Sequence, residues 1–141
     1  MMKKIYSTLM AIFIIANSLA QQNPWKKEQI MLTKDLAAKI QNKSKDTPVI
    51  LNVGPMENIK TAVKVGATNT TAGMNNLKSI VAGIDKNKEI VIYCGCCSYD
   101  NCPNIRPAFQ MLQELGFKKV KVLDIPEGIK PDWVAKNYPI E

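Results

Sequence analysis

All four cysteines and the single arginine of this chain fall in one stretch, Cys94-Gly95-Cys96-Cys97-Ser98-Tyr99-Asp100-Asn101-Cys102-Pro103-Asn104-Ile105-Arg106. A cysteine does chemistry as its thiolate, which attacks sulfur and binds soft metals, and neighbouring positive charge or helix N-termini increase its thiolate fraction. Every other cationic side chain is a lysine. Arginine at 106 therefore calls for a reason of its own, and a rigid fork of donors that grips an oxyanion supplies one. A surface cation or a helix-end packing residue is the plainer alternative. Cys94 and Arg106 are accordingly the candidate catalytic pair. Gly95, Tyr99 and Asn104 are candidate pocket residues, and Tyr99 would either wall the pocket or cover it.

The flanking elements give this stretch its place. Glu89-Ile90-Val91-Ile92-Tyr93 is a short, β-branched apolar run that predicts a strand buried on both faces, with Cys94 at its carboxyl end. Ile105, Ala108, Phe109, Met111, Leu112 and Leu115 recur at three- and four-residue steps, and Gly116 follows as a helix cap. The order is thus strand, thiol-rich loop, helix. Ligands of open α/β sheets gather outside the strands' carboxyl ends, facing helix N-termini.

The rest of the chain repeats this alternation. Ile30-Met31-Leu32 predicts a short edge strand, and Thr33 an N-cap for a helix carrying Leu36, Ala37 and Ile40. Val49 to Val53 predicts a strand stopped by Gly54-Pro55. The segment from Met56 to Asn69 is weakly patterned, with a short helix near Glu57 to Lys60 and a brief strand at Ala67-Thr68. Met74 to Ile84 predicts a helix, Val120 to Leu123 a strand, and Pro131 to Lys136 a last helix opened by its proline. Strands alternating with helices imply an α/β fold with a mostly parallel central sheet and helices on both faces.

The N-terminus addresses the compartment. Met1-Met2-Lys3-Lys4, an apolar core through Ala16, and Asn17-Ser18-Leu19-Ala20 have the form of a secretory signal peptide, with cleavage expected after Ala20. The apolar core is short of the roughly 20 residues that span a bilayer, so no stable membrane insertion is expected once the signal is removed, an uncleaved membrane anchor being the alternative reading. This divides the chain into a signal peptide at 1–20, a flexible leader at 21–28 and one domain at 29–141, exported to the periplasm or secreted. Losing Lys3 and Lys4 lowers the formal charge from +7 to +5, and the remaining lysines are scattered. With the aromatic residues equally dispersed, nucleic acid is excluded as a partner. The chain has no histidine. That rules out a Ser-His or Cys-His pair and any imidazole-dependent zinc site.

The segment Glu89 to Asp124, in which a strand ends in Tyr-Cys and an arginine opens a helix followed by Leu-Gly-Phe-Lys-Lys-Val-Lys-Val-Leu, resembles the second half of a rhodanese (sulfurtransferase) domain. Leu32-Thr33-Lys34-Asp35-Leu36, Val49 to Pro55 and Val65-Gly66-Ala67-Thr68-Asn69 are similar to that family's first helix opening, its Asp-Val-Arg strand and its Pro-Gly-Ala-Ile-Asn turn. The loop is similar to that of a secreted subgroup with an extended Cys-Gly-Cys-Cys motif. The resemblance implies a rhodanese-like fold and sulfane-sulfur transfer through Cys94, from thiosulfate or a similar small donor to a thiol acceptor. No cofactor is required and no metal ligand is assigned. The chain differs from the family in its long loop, in Asn52 and Gly54 at the Asp-Val-Arg positions, and in lacking the usual histidine.

The further thiols leave alternatives open. Cys96, Cys97 and Cys102 could resolve a Cys94 persulfide, or staple the loop as a disulfide, Cys102 with Cys96 or Cys97. Other readings are a soft-metal (copper or zinc) thiolate module, although C-x-C-C-x4-C lacks the paired knuckles of structural zinc sites, and a non-catalytic disulfide-stapled binding domain.

Overall fold

A computed structural model describes residues 24–141. The expected signal peptide and residues 21–23 of the expected leader lie outside the described residues. Five strands, β1 (Ile30–Met31), β2 (Val49–Asn52), β3 (Val63–Lys64), β4 (Glu89–Tyr93) and β5 (Lys119–Leu123), make one sheet in the order β1-β5-β4-β2-β3. Every ladder between them is parallel. The helices are α1 (Thr33–Gln41), α2 (Thr71–Val81), α3 (Ile105–Glu114) and the single-turn α4 (Ile129–Asp132). No helix among the described residues is long and apolar enough to cross a membrane.

Strand periodicity sorts the core. Side chains alternate across a strand, so Ile90, Ile92 and the following Cys94 join the cluster containing Leu77 and Val81 of α2 and Ile105, Phe109 and Leu112 of α3. Val91 and Tyr93 point the other way, into a cluster with Leu36, Ala37 and Ile40 of α1 and with Ile129 and Trp133. Both faces are covered, as the continuous apolar run of β4 requires. The alternation also decides the fate of Cys94. It falls on the α2–α3 side, facing the helix that follows its loop.

Several local expectations need correction. Thr33 is the first residue of α1, and Leu32 takes the N-cap position without a side-chain hydrogen bond. α2 begins three residues before Met74, because Thr70 caps it by accepting from the Gly73 amide at 3.1 Å. Apolar spacing missed that first turn, which consists of small residues. Glu57 to Lys60 is not helical. Ile59 instead donates its amide to the Tyr93 hydroxyl at 2.8 Å and bridges to Ile140. The short strand lies at Val63–Lys64 rather than at Ala67-Thr68. Thr68 donates its hydroxyl to the Asn104 carbonyl at 2.6 Å, while its amide reaches the Val53 carbonyl just past β2 at 3.4 Å. The final helix starts at Ile129, and an irregular backbone at buried Trp133 (φ −130°, ψ −61°) divides it from the 3-10 turn Val134–Lys136. At the other end, Trp25 packs edge-on against Phe109 with centroids 4.9 Å apart. The contacts of the folded domain thus reach back into the stretch read as a leader.

Candidate active site at the carboxyl edge of β4

Cys94 follows β4 directly, and its sulfur is enclosed by residues from both ends of the loop. Its side chain is 2% exposed, that of Cys102 is 3% exposed, and Cys96 is open to solvent. The Cys94 Sγ lies 3.1 Å from Cys96 Sγ, which in turn lies 3.3 Å from Cys97 Sγ. The sulfurs of Cys94, Cys96 and Cys102 are all within 4.8 Å of one another. All four cysteines are free thiols.

Asn104 ties this cluster together. It occupies the N-cap position of α3, yet its side chain caps nothing there. Its amide nitrogen instead donates to Cys94 Sγ at 3.3 Å and approaches Cys102 Sγ at 3.9 Å, while its amide oxygen accepts from the Asn69 backbone at 3.0 Å. Asn104, expected as a pocket residue, is buried among the thiols and does not line the groove beside Arg106.

The sulfur electrostatics follow from these bonds. Cys94 is lowered from 9.0 to about 5, first by the hydrogen bond from Cys102 and then, against the opposing effect of burial, by bonds from Cys96, Asn104 and the Cys96 backbone amide. A thiolate was expected at this position on the strength of the helix terminus and arginine. It is the neighbouring thiols and amides that supply most of the stabilisation. The partners shift upward in return. Cys96 rises to about 12, through burial and then its bond to Cys94, and Cys102 rises chiefly because it donates to Cys94. The trio thus shares one negative charge, held at Cys94.

Glycines shape the space around it. A Cβ at Gly54 would stand 2.5 Å from both the Cys94 carbonyl oxygen and its Sγ, so any side chain there would displace the nucleophile. Gly95 has φ of +83° and brings its carbonyl to the Ile129 amide at 2.9 Å, which docks the loop onto the start of α4. The sequence signal for Gly54 was present in the Gly54-Pro55 turn. Its importance to Cys94 was not, because β2 and β4 meet only in the sheet.

Arg106 stands in the first turn of α3 with its guanidinium 3.8 Å from the Trp25 ring centre. It lines an open groove of about 460 Å³ together with Asp100, Asn101, Cys102, Pro103, Pro107 and Gln110. The groove reaches the cysteine cluster at Cys102. Tyr99 is half-buried against the core cluster that contains Cys94, and its phenol is raised by burial and by the Asp124 and Asp100 carboxylates.

No family model matches the sequence, and neither does any curated protein. Solved structures do match. The BH2092 protein of Bacillus halodurans superposes with a TM-score of 0.60 at 21% identity, over 81% of this chain and 77% of that one. The rhodanese-like domain of the Anabaena Alr3790 protein superposes in its solution structure with a TM-score of 0.57 at 16% identity, over 80% of this chain and 78% of that one. Its crystal structure gives 0.59 at 16%, covering 79% and 90%. The fold is rhodanese-like. At the carboxyl edge of this sheet, where ligands of open α/β sheets gather, stands a cluster of three nearby cysteines whose sulfurs could together hold a metal ion.

Proposed function

We propose that this chain is an exported sulfurtransferase in which Cys94 carries a sulfane sulfur between a small donor such as thiosulfate and a thiol acceptor. The observation that supports it most is the Cys94 sulfur itself, lowered to about 5 and therefore ionised at neutral pH, at the carboxyl end of β4 in a rhodanese-like sheet. In the forward step the Cys94 thiolate attacks the outer sulfur of thiosulfate. The donor's S–S bond breaks, sulfite leaves with the electron pair, and Cys94 becomes a persulfide. Arg106, in the groove beside Cys102, is the group that draws in the anionic donor and stabilises departing sulfite. An acceptor thiolate then takes the outer sulfur and returns Cys94 to its thiolate.

Cys96 offers a second exit. Attack by its thiolate on the Cys94 sulfur of the persulfide would expel sulfide and leave a Cys94–Cys96 disulfide, which an external thiol would then reduce. The 3.1 Å separation of the two sulfurs supports this branch. Export follows from the signal peptide expected at 1–20.

Intact mass of the reduced protein after incubation with thiosulfate tests the reading. The expected result is a gain of one sulfur atom in the wild type, none in Cys94→Ser, and a slower gain in Arg106→Ala. Failure of the wild type to gain sulfur, or a gain that persists in Cys94→Ser, overturns it. Failure of the wild type would leave the rhodanese-like fold as the frame of a binding domain.

A further inference from the structure

The residues that hold Cys94 ready for sulfur also satisfy the requirements of an ion. We propose that Cys94, Cys96 and Cys102 form a three-thiolate site for Cu(I), loaded through Cys96.

Ligand geometry comes first. Metal–thiolate bonds of about 2.3 Å arranged in a plane set three sulfurs about 4 Å apart. The three Sγ atoms already lie within 4.8 Å of one another, and the pair at 3.1 Å has only to open slightly. Cys96 is the exposed member on the loop, so that adjustment falls where the chain has room to move. The ligands enter from both sides of the loop, Cys94 from the end of β4 and Cys102 just before α3. An ion would clip the loop shut.

Ligand chemistry selects among metals. The cluster offers sulfur alone, and thiolates favour soft ions over hard ones. Structural zinc sites need four ligands. Cu(I), with its filled d shell, is satisfied by three. Cys97 bonds to Cys96 at 3.3 Å and also to Cys102, but among the described residues only Cys94, Cys96 and Cys102 have their sulfurs all within 4.8 Å of one another, so the set already gathered is a triangle and not a tetrahedron.

The surroundings fit ligands that carry negative charge. Asn104 directs its amide at Cys94 and Cys102, and is itself fixed by the Asn69 amide and the Thr68 hydroxyl. Donors of this kind orient metal ligands and moderate their charge. The ten-residue α3 begins at the next residue and turns its positive end toward the same side. Cys94 and Cys102 are almost wholly enclosed, which shields a bound ion from water. An ion handed over by another chelator would meet Cys96 first and then pass to the enclosed pair. Since it would occupy Cys94, copper and sulfane sulfur would compete for the protein.

Anaerobic titration of the reduced protein with Cu(I) against a chromophoric Cu(I) chelator tests this independently of any sulfur assay. The expected result is one ion withheld per chain, with X-ray absorption showing three sulfur ligands. Cys96→Ser and Cys102→Ser are each expected to weaken binding by more than about 100-fold, beyond what loss of a mere supporting residue costs. Cys97→Ser is expected to leave the affinity unchanged. Cu(I) surrendered wholly to the chelator overturns the proposal, as does undiminished binding in Cys102→Ser or a site lost in Cys97→Ser. Persulfide formation measured without copper is a separate result, so failure of one reading is distinguishable from failure of the other.

Discussion

A sulfur anion that is almost wholly enclosed survives here because donors converge on it. An unpaired charge in such surroundings is costly, and Cys102, Cys96 and Asn104 each contribute a proton to the Cys94 sulfur. Asn104→Ala removes one of those donors and leaves the Asn69 amide without its acceptor. The expected outcome is a Cys94 titration shifted upward from about 5, read by thiolate absorbance or by the pH dependence of alkylation. Loss of the buried bonds should also cost about 1–3 kcal/mol in denaturant unfolding. The same bonds impose a pH signature on stability. A group whose folded value is depressed stabilises most above its unfolded value, so the Cys94 contribution is complete above about pH 9 and is lost as pH falls through about 5. Cys96 acts in the opposite sense, stabilising below about pH 9 and losing its effect as pH rises through about 12. Unfolding free energy should therefore fall from pH 9 to pH 5 more steeply in the wild type than in Cys94→Ser.

Among the elements, the loops on the carboxyl side of the sheet determine how the nucleophile is held. The β5–α4 connection matters most. Gly128 adopts φ of +110°, and a Cβ there would stand 2.9 Å from the Gly95 carbonyl oxygen, the same oxygen that accepts from the Ile129 amide. Gly128→Ala thus introduces left-handed strain and a backbone clash at the point where α4 docks the cysteine loop. The expected cost is about 1–3 kcal/mol, measured by chemical denaturation, together with faster hydrogen exchange in residues 95–101. Much of the element pattern was legible beforehand. β4 was bounded correctly by its apolar run, and the positive φ of Gly116 marks the end of α3 as its position implied. The stretch from Met56 to Thr70 was not legible. Its order comes from partners distant in the chain, with Ile59 bonded to Tyr93 and Thr68 to Asn104.

For the molecule as a whole, Tyr93 joins the sheet to the chain's last residues. Its buried hydroxyl accepts from the Ile59 amide at 2.8 Å and donates to the Glu57 carbonyl at 3.0 Å, and Ile59 bridges to Ile140. Burial raises this phenol well above its ordinary value, so it stays a neutral donor. Tyr93→Phe keeps the ring but strands the Ile59 amide, and should cost about 1–3 kcal/mol by thermal or denaturant unfolding while Cys94 keeps its low titration point. Local pattern was enough for the α/β alternation, for Cys94 at a strand's carboxyl end and for a helix opening near Arg106, because strand and helix periodicities are written within single segments. Only the tertiary structure decided which groups reach the sulfur. Gly54 comes from a neighbouring strand, Asn104 and Cys102 from the far end of the loop, and Arg106 is engaged by Trp25 from before the first strand. Side-chain type can be read along a chain, whereas proximity across a sheet depends on how strands pair and loops close, and neither is written in any one segment.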